Sequence, residues 1–111
     1  MDLYKFVMPD TSAEHFDAIA EQLLREPDTE RRKAFHNPGL TVDGRIFAML
    51  VRDELVLKLP AARCAELSAG GGARPFDRGQ GKPLKEWVCI ETPDPERWLA
   101  LAREALAFVR G

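Results

Sequence analysis

The sequence predicts an α+β domain of two layers, an antiparallel meander sheet covered by an N-terminal helix, a short middle helix and a long C-terminal helix. Closely spaced β-patterned runs around Asp43-Gly44, an amphipathic stretch before them and a long, mostly apolar stretch at the end carry that expectation. Strands joined by tight turns must pair antiparallel, so the meander sets the sheet type.

The first helix is expected to begin at Thr11 and Glu14, which have the spacing of a capping box, hydroxyl and carboxylate each satisfying the other's end of the first turn. Phe16, Ile19, Ala20, Leu23 and Leu24 recur at helical spacing as a core-facing stripe, and Pro27 stops the helix near Arg25. Thr29 to Phe35 reads as one or two helical turns, and His36 to Gly39 as a loop. Asp43-Gly44, between Leu40-Thr41-Val42 and Arg45-Ile46-Phe47, is a two-residue hairpin signal. The second strand is expected to run to about Arg52, with Asp53 and Glu54 turning the chain into Leu55 to Leu59. Pro60 opens a short helix to about Ser68.

Arg74 to Asp77 reads as a short edge strand, because Pro75 fits only there. Glu86 to Glu91 forms a further strand, with Trp87 and Cys89 on one face and Val88 and Ile90 on the other. Either Thr92 or Asp94 caps the last helix. Its charged residues Glu96, Arg97, Arg103, Glu104 and Arg110 occupy an arc of roughly 140°, so most of its surface must be buried.

Length and composition bound the function. A chain of 111 residues, 45% hydrophobic and 31% charged, is expected to be one soluble domain. Its longest apolar run, Ile46 to Val51, is too short to span a bilayer, and the first residues lack a secretory signal pattern. Cys64 and Cys89 form no CxxC pair and read as reduced thiols, which suits a cytoplasmic protein.

Several chemistries fail on spacing. The glycines of "AGGGARPFDRGQGKPLKEW" suggest a phosphate loop, but Gly81-Lys82 is followed by Pro83, where a Ser or Thr must hold magnesium. A dinucleotide fingerprint starting at Gly70 would need glycine in place of Pro75. Those glycines read as a link from the middle helix to the sheet. Ser12 and Ser68 lie in no nucleophile elbow, and His15 and His36 have no ligand partner at helical spacing. No catalytic residue, cofactor or metal is expected.

Charge is the remaining signal. The net charge of −2 divides into eight acids against two bases over residues 1–30, and eleven bases against five acids over residues 31–85. Arg31, Arg32 and Lys33, with Arg74, Arg78, Lys82 and Lys85, are candidates for a nucleic-acid or partner surface, with Phe35, Phe76 and Trp87 as stacking aromatics. Such a surface requires the two groups to converge in space.

Three runs carry a resemblance: "GLTVDGRIFAMLVRDELVLKLP", "RPFDRGQGKPLKEWV" and "PERWLALAREALAFV". Over roughly residues 31–110 the chain resembles the N-terminal domain of the TfoX/Sxy competence regulators and is similar to the MmcQ/YjbR group. Gly81 to Val88 is the most specific part. The resemblance implies a secretion-chaperone/YjbR-like α+β fold and a loose association with transcription and DNA, without catalytic residues to carry over. It departs where Phe35 is followed by His36 rather than glycine. The expectation is therefore a single TfoX N-terminal-like domain over residues 1–111, without a C-terminal helical domain. Its expected function is non-enzymatic binding or regulation, through a protein partner or weak nucleic-acid contact and without a membrane. A small-ligand binder or enzyme with a pocket between sheet and helices is the alternative, and a homodimer through a sheet edge is compatible with either.

Overall fold

The computed structural model describes residues 11–77 and 81–111. Helix α1 (Ser12–Leu23) leads into four strands, β1 (Thr29–Ala34), β2 (Asn37–Val42), β3 (Arg45–Val51) and β4 (Glu54–Lys58). Helix α2 (Ala61–Gly70), strands β5 (Ala73–Phe76) and β6 (Leu84–Ile90), and helix α3 (Pro95–Arg110) complete the chain. The strands form one antiparallel sheet in the order β1-β2-β3-β4-β6-β5.

Thr11 caps α1 as expected: its Oγ1 accepts from the Glu14 N–H at 3.1 Å and donates to Glu14 Oε1 at 2.8 Å, so the Glu14 carboxylate takes the hydroxyl of the cap. Asp94, rather than Thr92, caps α3, its side chain accepting from the N–H groups of Glu96 and Arg97. Asp43 and Gly44 both have positive φ, 53° and 78°, the left-handed geometry that a two-residue hairpin turn demands.

Residues 29–39 differ from expectation. Thr29 to Ala34 is not helical but pairs residue for residue with Asn37 to Val42, and Phe35 and His36 make the turn with φ of 52° and 68°. Glu30, Arg31, Arg32 and Lys33 are all exposed on this edge strand, so it has no apolar alternation to betray it. Pro38 sits near the start of β2, where its missing N–H removes a single donor. The next turn uses Arg52 and Asp53, one residue earlier than expected, again with positive φ at both positions.

All three helices pack on one face of the sheet. Phe16, Ile19 and Leu23 of α1, Leu67 of α2, and Trp98 and Leu101 of α3 join the larger core cluster. The sheet supplies Leu40, Leu55, Leu57, Val88 and Ile90 to it. A smaller cluster on the opposite face holds Met49, Val56, Phe76 and Cys89, with Trp87 packed against it and no helical residue among its described members. The unbroken apolar run of β3 is thereby explained, since both faces of that strand are covered. A bulge pairs Leu40 with Ala48 and Thr41 with Ile46, leaving Phe47 unopposed. Phe47 and Ala48 consequently both enter the larger core, while Met49 enters the smaller.

Candidate functional site

The sheet order separates the two predicted basic groups. β1 carries Arg31, Arg32 and Lys33, and β5 carries Arg74 at the opposite edge. Five interstrand spacings put them roughly 24 Å apart. Lys82 and Lys85 belong to the β5–β6 side with Arg74, and Arg78 lies outside the described residues. The six described residues therefore do not converge on one surface.

Ion pairing reduces the cationic character further. The Arg74 guanidinium grips both carboxylate oxygens of Glu54 and reaches Glu91 at 3.0 Å. That hydrogen bonding holds the Glu54 carboxyl below its ordinary range and raises Arg74 above its own. Arg74 is thus a structural clamp across β4, β5 and the end of β6. Arg31 donates to Asp17 of α1 at 2.9 Å and lies 5.7 Å from the Phe16 ring, while Arg32 pairs loosely with Glu30 at 3.4 Å. Lys33, Lys82 and Lys85 have no ion pair among the described residues.

What remains at β1 is a shallow cavity of about 430 Å³ lined by Arg31, Arg32, Lys33, His36, Pro38 and Gly39, with no carboxylate in its described wall. Gly39 has to be glycine, because a Cβ there would stand 2.8 Å from the Arg32 carbonyl oxygen. Phe35, 60% exposed, sits at the tip of the same hairpin. Of the three predicted stacking aromatics, only Phe35 is displayed in this way. Phe76 is buried in the smaller cluster, and Trp87 is half-buried with the Lys58 ammonium 5.7 Å from its ring. The β-hairpin tip could not be recognised as a site until β1 was known to be a strand.

Nucleophilic chemistry finds no footing at the thiols. Burial pushes the Cys89 thiol up to about 11 and raises Cys64 as well, so both are neutral thiols near pH 7. His15 packs edge-on against Trp98 on the helical side, with the sheet between it and Cys89. Among the described residues no group of three or more His, Cys, Asp or Glu is placed to hold a metal ion, and no helix is long and apolar enough to cross a membrane.

A second cavity, of about 330 Å³, lies between α2 and the β5–β6 edge. It is walled mainly by apolar side chains, with Lys85 the charged residue in its described lining. No motif announces it, since small residues on a helix signal only close packing or empty space.

These features define a small α+β domain with its helices on one sheet face, a basic hairpin at one edge and an apolar cleft near the other. The chain belongs to the TfoX N-terminal domain family, whose match covers residues 21–109. No curated protein matches it.

Proposed function

We propose that this TfoX N-terminal domain is a non-enzymatic, cytoplasmic regulatory module that contacts single-stranded nucleic acid through the β1–β2 hairpin. The observation that carries the reading is the β1-edge cavity, lined by Arg31, Arg32, Lys33 and His36 with no carboxylate in its described wall, on the hairpin whose turn displays the 60% exposed Phe35. Cations that follow a phosphate backbone, next to an aromatic on which a base can stack, are the parts such contact requires. Binding is weak, because phosphates must compete with Asp17 for Arg31 and with Glu30 for Arg32. A transcription-related role is the part of this reading that rests on the resemblance to competence regulators alone.

Fluorescence anisotropy with short DNA and RNA strands at low salt tests this. Replacing Arg32 and Lys33 together by Gln should flatten the salt dependence by between one and two, about 0.7 for each phosphate of a single strand that is no longer neutralised. Absence of binding at tens of micromolar, or a slope indifferent to the substitutions, would turn the reading toward an acidic protein partner. Small-ligand binding is a second reading, favoured by the cavity beside α2.

A further inference from the structure

The Gly81–Val88 stretch takes no part in the β1 hairpin. Its Pro83, Leu84, Lys85 and Trp87 instead build one wall of the 330 Å³ cavity beside α2. The opposite wall is a single stripe of that helix: Ala61, Cys64, Ala65 and Ser68, spaced i, i+3, i+4 and i+7. All four side chains are small, which is why the helix and the sheet leave a space between them instead of closing on each other. Pro75 of β5 shares in the lining.

The polar groups of this cleft are few and unlike one another. Ser68 Oγ is buried and has no hydrogen-bond partner among the described residues, an unmet demand that a native fold ordinarily satisfies. The Cys64 thiol is already used, directed at the Leu59 carbonyl at 3.6 Å, and its neutral state leaves it as part of the apolar wall. Lys85 is exposed at the rim, and its ammonium has no ion pair among the described residues. The Glu86 carboxylate is close enough to Cys64 to be felt there but is absent from the described lining.

An apolar cleft with a single cation at its rim has a definite complement. We infer that it binds a small amphipathic monocarboxylate, an acyl or aryl acid whose apolar body lies along Ala61, Ala65, Leu84 and Trp87. The carboxylate meets the Lys85 ammonium at the rim. The site goes beyond the nucleic-acid reading and is independent of it, since β1 lies at the other edge of the sheet.

The test is a titration of the full chain with sodium octanoate, followed by amide and methyl NMR shifts and by Trp87 indole shifts. Saturable shifts centred on Ala61, Ala65, Ser68, Lys85 and Trp87 are expected, with octylammonium at least roughly tenfold weaker. Lys85→Gln should weaken octanoate by about tenfold and remove the preference for it over octylammonium. Ala65→Phe should fill the cleft and abolish binding; if that variant does not fold by circular dichroism, Lys85→Gln decides. Shifts that fail to saturate at several millimolar, shifts centred elsewhere, equal binding of both charge types, or indifference to Lys85→Gln would each overturn the proposal. None of these outcomes bears on the β1 hairpin, which the anisotropy experiment reads separately.

Discussion

Trp98→Ala is the sharpest probe of how α3 holds the domain together. The side chain is fully buried, and its Nε1–H donates to the Thr92 carbonyl oxygen at 3.0 Å, tying the first turn of α3 to the segment that follows β6. Its ring also meets His15 of α1 in an edge-on contact at 5.9 Å between centroids. Burying an aromatic side chain of about 200 Å² is worth roughly 5 kcal/mol at 25 cal/mol per Å², and truncations of buried Trp to Ala typically cost about 3–5 kcal/mol. An expected loss of about 4 kcal/mol is a large share of the ~5–15 kcal/mol that a domain of this kind has in total. Urea unfolding followed by circular dichroism should show the midpoint falling by about 2 M for a slope near 2 kcal/mol per M. Trp98→Phe keeps a ring against His15 but loses the N–H and some area, so its cost should be about 1–2 kcal/mol. A loss below about 1 kcal/mol in Trp98→Ala would refute the view of α3 as an integral part of the core. Equal losses in the two variants would place the effect in the hydrogen bond to Thr92 instead.

Two further outcomes are expected. Gly39→Ala should cost roughly 1–3 kcal/mol, since its Cβ would press on the Arg32 carbonyl oxygen at 2.8 Å and on Ala34 Cβ at 3.3 Å, forcing β1 away from β2; the same urea titration measures it. Glu54 is held ionised by Arg74, so its contribution is present above the ordinary carboxylate pKa of 4.5 and lost as pH falls through the lower folded-state value. Melting temperatures between pH 6 and pH 3 should therefore fall less steeply in Glu54→Gln than in the parent, with a difference under about 1 kcal/mol because Arg74 is half-exposed.

The parts of the fold that were legible in the sequence are those whose signals are local. Thr11 and Glu14 announce α1 because the cap is made within one turn, and Asp43-Gly44 announces its hairpin because the geometry is demanded of those two residues alone. The two faces of β6 are readable because Val88 and Ile90 enter one cluster while Trp87 and Cys89 lie with the other. β1 was illegible for the opposite reason. Four consecutive exposed residues carry no period, and what makes them a strand is pairing with β2, which a propensity reading does not contain. The distribution of the candidate basic residues was hard to read for a related reason. Counting positive charges over residues 31–85 cannot show that Arg31, Arg32 and Arg74 are matched by Asp17, Glu30 and Glu54, the first and last of them distant in sequence.

The pairing of β1 also bears on assembly. Among the described strands, β1 and β5 are the two edges, and each resists the addition of another strand by a different device. β5 is four residues long and contains Pro75, which cannot donate to a ladder. β1 is longer, but Glu30, Arg31, Arg32 and Lys33 all face solvent, and a second copy laid antiparallel would bring the same run of charges against itself. Each of the two described edges thus carries a feature that disfavours a further strand, Pro75 at one and the facing arginines at the other. The charges that block a strand do not block a polyanion, for which three of those four residues are favourable and Glu30 already turns toward Arg32. A strand needs the backbone of β1, whereas a phosphate needs only its side chains. On the nucleic-acid reading proposed above, the β1 edge discourages a further strand while its side chains remain within reach of a polyanion.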